Sequence, residues 1–153
     1  MASLSLPSPL GPLTLHERGG AIVALDFADG GAADETPLLD QARHELEDYL
    51  DGRRRSFTLP LAPAGTPFQH RLWQALCAIP YGAVRTYRDL ALALDSAPRA
   101  IGGACGANPI PIIIPCHRVV AVGTLGGYSG GAGLATKRKL LALERCDLLA
   151  ARP

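Results

Sequence analysis

Residues 86–108 read TYRDLALALDSAPRAIGGACGAN. Thr86 stands where it caps a first short helix, whose Leu90, Ala93 and Leu94 recur on one face, and Ser96 where it caps a second. Only a tight turn separates the two, the spacing of a helix-turn-helix. The second helix is unusual, because Gly102 and Gly103 in mid-course cost about 1 kcal/mol each relative to Ala. Such glycines help where another backbone must approach closely. Tight packing on a neighbouring helix within the chain would explain them too.

Downstream, Asn108-Pro109 signals a turn, and Pro111 to Pro115 bracket an apolar run. Prolines remove backbone donors and fix φ, so this is a rigid, irregular approach rather than a central strand. It delivers IPCHRVV, residues 114–120. A free thiol of pKa about 8.5 is only a few per cent thiolate at neutral pH. A neighbouring imidazole and guanidinium favour the anion, so Cys116-His117-Arg118 holds the parts of an activated nucleophile. Taken alone, the triplet fits a buried structural cysteine better than a catalytic one, because sequence neighbours on an extended chain point opposite ways. Zinc fits poorly, since no second Cys or His lies at ligand spacing. A Gly-rich loop, GTLGGYSGGAG (123–133), follows, and then a last helix, LATKRKLLALE (134–144).

Upstream, Thr66-Pro67-Phe68-Gln69 is a capping box opening a helix that ends at Pro80. Its apolar face carries Phe68, Leu72, Trp73, Leu76 and Ile79, with Trp73 and Cys77 read as core. LAPAGTP (61–67) is the linker, which divides the chain into a small α/β domain, 1–63, and a mainly helical domain, 64–153. In the first, strand-like segments at 12–16 and 21–27 flank a turn. Thr36-Pro37 opens a helix that Gly52 stops. Phe57, Leu59 and Leu61 alternate as in a half-buried strand. His16 and His44 stand alone and read as solvated or capping groups.

The 153 residues suffice for one large or two small cores, and no stretch approaches the roughly 20 apolar residues of a membrane span. The start shows no basic segment ahead of an apolar one, so no secretory signal is expected. Four cysteines (Cys77, Cys105, Cys116, Cys146) do not form a disulfide framework, and a reduced, cytoplasmic setting is expected. The net charge of +1 is unevenly spread. Residues 1–63 carry ten acids against five arginines, and residues 64–153 ten bases against four acids. This fits either a second half that meets a polyanion or ordinary scatter of surface charge.

RAIGGACGANPIPIIIPCHRVV, followed by GYSGG and KRKLLALE, closely resembles the O6-alkylguanine-DNA alkyltransferases, also called methylated-DNA–protein-cysteine methyltransferases. The resemblance is specific from Thr66 to Glu144 and loose over 1–63. It implies a ribonuclease-H-like first domain (a small antiparallel sheet plus a helix) and a second domain holding the helix-turn-helix and the reactive cysteine. It implies direct DNA repair. Double-stranded DNA is bound in the minor groove, an O6-alkylguanine (or O4-alkylthymine) is flipped out, and its alkyl group passes once to Cys116.

By the same resemblance, Ala100, Gly102, Gly103 and Ala104 supply the DNA-facing surface, and Arg99 fills the place the base vacates. Tyr87 assists flipping and meets N3, and Asn108 is the hinge to the reactive segment. His117, oriented by Glu144, takes the thiol proton through a water. The main chain around Cys116 and Val119 reads the guanine amino group, and Tyr128-Ser129 close over O6. No cofactor and no metal are implied; relatives that bind zinc use first-half cysteines, and none precedes Cys77 here. A monomer, cytoplasmic and nucleoid-associated when acting, is expected. Three features depart from the family pattern: a basic residue is absent at Gly106-Ala107, Leu143 replaces His, and Arg145 replaces Gly. The alternative is a non-enzymatic alkyltransferase-like lesion-binding protein, against which Cys116 argues, since such proteins replace it.

Overall fold

A computed structural model describes residues 1–144. The chain divides into two compact units, the first Met1–Ala64 and the second beginning at Gly65.

In the first unit, strands β1 (Ala2–Leu6), β2 (Leu13–Arg18) and β3 (Ala21–Asp26) form an antiparallel sheet in sequence order. The pairs Leu4–Leu15 and Leu6–Leu13 set the register of β1 on β2. Helix α1 (Pro37–Leu50) starts at Thr36, whose side chain accepts from the Leu39 N–H, as its sequence predicts. Leu39, Ala42, Leu46 and Tyr49 recur at helical spacing and are fully buried, as are Leu13, Leu15 and Ile22 of the sheet. Full burial of each large apolar side chain stabilises by about 1.5–3 kcal/mol, so this shared layer is the unit's core. The sequence pattern missed β1, whose Ser-rich run ASLSL lacks the usual strand residues. The alternating segment 57–61 forms no regular strand; it reaches the sheet only through a parallel bridge from Leu61 to Ile22.

The second unit holds α2 (Pro67–Cys77), α3 (Tyr87–Ala93), α4 (Pro98–Gly106) and α5 (Leu134–Leu143). Capping boxes at Thr66–Gln69 and Thr86–Asp89 start α2 and α3. The start of α4 departs from expectation. Its N-cap is Ala97, with no side-chain cap, and Pro98 takes the first helical position. The turn from α3 passes through Asp95 at φ 52°, a left-handed conformation that short polar residues tolerate. Trp73 is core as expected, and its Nε1–H donates to the Ala104 carbonyl at 3.0 Å, tying α2 to α4. Cys77 is exposed rather than core, because it falls on the last turn of α2, away from the Leu72–Leu76 face.

Two short strands, β4 (Arg85–Thr86) and β5 (Val119–Val120), pair in parallel and fix the start of α3 beside the segment that follows Cys116. Cys116–Arg118 form a single 3₁₀ turn rather than extended chain. Three residues per turn set successive side chains about 120° apart instead of on alternating faces.

Candidate active site

Ile110 and Ile112 to Val120 are all buried, so the reactive segment runs through the core of its unit. Asn108 anchors its entry. The side-chain Nδ2–H donates to the Ile114 carbonyl at 2.9 Å, and Oδ1 accepts from the Ile110 N–H at 3.0 Å. Asn108 thus joins the end of α4 to the approach to Cys116.

Cys116 opens onto a cavity of about 510 Å³, whose lining includes Tyr87, Cys105, Asn108, Tyr128 and Ser129. Burial pushes the thiol pKa up, and Asn108, Lys137 and Tyr128 pull it back towards the anion. The Tyr128 hydroxyl is buried without a well-formed hydrogen bond to any described residue. Burial and the neighbouring thiol hold it protonated, so it has an O–H to donate. Tyr87 reaches the same cavity, with its hydroxyl 3.5 Å from the Gly127 carbonyl. Gly126, at φ 72°, packs so closely on Tyr87 that a Cβ there would stand 2.8 Å from the ring. Only glycine fits at that position.

Behind the cysteine lies a buried ionic cluster. The His117 Nε2 donates to Glu144 Oε2 at 2.8 Å, and Arg118 donates through Nε to Oε1 at 2.8 Å and through Nη2 to Oε2 at 2.9 Å. Arg118 also donates to the Ile79 carbonyl at 2.7 Å. Glu144 is 2% exposed, so it is not a surface acid at a helix end. Burial lowers the His117 pKa against the raising effect of Glu144, so the imidazole is neutral. With Nε2–H given to the carboxylate, Nδ1 is the acceptor, and it has no partner among the described residues.

Arg118 is therefore committed to Glu144, and the cation that favours the Cys116 thiolate is Lys137. The motif alone pointed to the adjacent arginine. Lys137 is fully buried, and its ammonium donates to the carbonyls of Val119 (2.6 Å), Leu125 (2.5 Å) and Gly127 (3.0 Å). Burial brings its pKa down to about 8 against the pull of Cys116 and Cys105. It straps the Gly-rich loop to the end of the reactive segment. In the sequence it read as one more base of KRK; its one signal was a place on the buried face of α5, three residues before Leu140. Val119, expected to help read a substrate, is buried with its carbonyl already held by Lys137.

On α4, Arg99, Ala100 and Gly103 are exposed and Gly102 is half-exposed. Ala104 corrects the expectation: it is 4% exposed. Helical spacing puts it with buried Ile101 on the inner face, beneath Trp73. Packing within the chain does not require the two mid-helix glycines. A Cβ on Gly103 would meet nothing within 4 Å, and one on Gly102 would meet only Tyr87, at 4.0 Å. Cys105, at the end of α4, is half-buried. It lines the cavity, and burial, then the neighbouring Cys116, raises its thiol pKa to about 12, so it stays protonated. Ser129 sits on the exposed rim of the loop. Arg145 and Cys146 lie outside the described residues.

Two family models match the chain. Residues 67–146 match the 6-O-methylguanine DNA methyltransferase DNA binding domain, and residues 4–63 match the ribonuclease-like domain of the same family. The methylated-DNA–protein-cysteine methyltransferase of Methanosarcina barkeri is 43% identical over 94% of this chain and 96% of its own length. That of Haemophilus influenzae is 44% identical over 91% of this chain and 83% of its own. Among solved structures, Mycobacterium tuberculosis OGT in complex with DNA superposes with a TM-score of 0.84 at 37% identity, covering 95% of this chain and 93% of that one. With both of its units matched in order, the chain belongs to the methylated-DNA–protein-cysteine methyltransferase family.

Proposed function

We propose that the protein repairs DNA directly, by moving the alkyl group of an O6-alkylguanine in double-stranded DNA onto Cys116. One observation carries this reading: a thiol stands at the floor of a base-sized cavity, flanked by groups that favour its anion, with a buried ionic cluster behind it. The relatives' names and the solved complex with DNA support the partner.

The exposed side of α4 enters the minor groove, where Ala100, Gly102 and Gly103 let the helix approach closely and the missing side chains cost the packing nothing. The alkylated base is flipped into the cavity, Arg99 takes its place in the stack, and Tyr87 meets N3. The main chain near Cys116 and Val119 reads the exocyclic amine, and Tyr128-Ser129 donate to O6. His117 Nδ1 receives the thiol proton through a water. Sγ then attacks the alkyl carbon, the Sγ–C bond forms as the C–O6 bond breaks, and guanine leaves with a proton relayed from His117. O4-alkylthymine presents the same alkyl–oxygen bond. The thioether is stable to water, so each molecule reacts once and needs no cofactor. The cavity and α4 both lie in the second unit, which therefore carries binding and chemistry together.

Intact mass spectrometry after mixing with an O6-methylguanine duplex tests this. One methyl per chain, absent in Cys116→Ser, is expected. An unchanged mass with lesion-selective binding would overturn it in favour of a non-enzymatic lesion sensor.

A further inference from the structure

A second hollow, of about 440 Å³, adjoins the reactive cavity and shares Tyr87 and Gly102 with it. Pro98 and Val122 supply apolar surface, and the exposed Arg88 and Arg99 stand at its rim. Val122 is 72% exposed, whereas Val120 and Leu125 on either side of it are buried in one small cluster with Leu141. The chain holds Val122 out. It sits on a tight turn in which the Thr124 N–H meets the Ala121 carbonyl at 3.3 Å and Gly123 takes φ 85°. A β-branched side chain at such a tip is stiff at χ1, so little entropy remains to be lost when it is covered.

Nothing described in this chain covers Val122, and its surroundings match a nucleotide: Arg88 for a phosphate and apolar surface for the sugar and base, with Arg99 left to the stack. Continuity with the cavity fixes which nucleotide. A strand that places one base beside Cys116 must lay its neighbour across the Tyr87–Gly102 boundary. Apolar side chains inserted at base steps from the minor groove unstack them. We infer that Val122 is a wedge against the base next to the flipped nucleotide on the damaged strand, working opposite Arg99, with the hollow holding that neighbour's sugar. The inference rests on the proposed alkyl transfer and assigns Val122 a part in opening the duplex, not in the chemistry.

Single-turnover transfer should be timed on one O6-methylguanine oligonucleotide, as a duplex and as a single strand, with wild type, Val122→Ser and Val122→Ile. Burying a valine is worth about tenfold or somewhat more. Val122→Ser is therefore expected to be about tenfold slower on the duplex, with little change on the single strand, which needs no unstacking, and Val122→Ile to behave as wild type. A 2-aminopurine beside the lesion should brighten with wild type and not with Val122→Ser. Equal duplex rates for wild type and Val122→Ser would overturn the inference. So would an equal slowing on both substrates, or a Val122→Ile as slow as the serine variant. If wild type transfers no methyl to either substrate, the proposed function fails instead.

Discussion

Replacing Glu144 by Gln keeps the shape of the buried cluster and removes the one anion among its described residues. The carboxylate accepts from Arg118 Nε, Arg118 Nη2 and His117 Nε2, all within 2.9 Å. An amide has one acceptor oxygen, so its NH2 must face a donor of Arg118 or His117. The guanidinium is then buried beside a dipole pointing the wrong way. Breaking a buried pair by removing one partner costs about 3–5 kcal/mol. At about 2–4 °C per kcal/mol for a chain of this size, melting should fall by roughly 6–20 °C. The chemistry should suffer separately. A neutral amide neither fixes which nitrogen of His117 carries the proton nor stabilises the imidazolium that forms, so a rate loss of roughly a hundredfold is expected. Calorimetry gives the first quantity. The second is single-turnover methyl transfer, measured well below the variant's melting point. A variant that melts and reacts like wild type would refute both the ionic cluster as a source of stability and His117 as the proton acceptor.

Lys137 should leave a signature in the pH dependence of stability. Its folded pKa of about 8 lies below the ordinary 10.5, so the folded chain binds fewer protons than the unfolded one between those values, and stability rises with pH there. The raised thiols act in the opposite sense above their ordinary 9.0. Denaturant titrations should therefore show wild type gaining stability from pH 8 to 9 and Lys137→Met gaining none; parallel profiles would be the contrary result. Asn108→Ala leaves the buried Ile110 N–H without its partner, at about 1–3 kcal/mol, whereas the Ile114 carbonyl keeps the Cys116 N–H at 2.8 Å. It also removes the first of the groups that draw the Cys116 pKa down against burial. The pH profile of Cys116 alkylation by iodoacetamide should shift upward, and superimposable profiles would exclude Asn108 from tuning the thiol.

Local signals determined much of this protein. The caps at Thr36, Thr66 and Thr86 and the proline brackets act over three or four residues, so they are readable as strings, and the structure has each of them where it was read. The family motif around PCHRVV marked the nucleophile. Partnerships across the chain were another matter. Arg118 adjoins Cys116 in sequence yet is spent on Glu144, and the cation beside the thiol comes from Lys137, 21 residues away, through a helix packed against the loop. Ala104 and Gly103 are neighbours of similar size, and only the packing of Trp73 on α4 decides that one is covered and the other bare. Likewise, β1 has a weak strand composition and exists because β2 offers it an edge in register. A sequence specifies backbone conformation through contacts a few residues long. Which charge meets which is settled by desolvation, and desolvation depends on what the whole fold has buried.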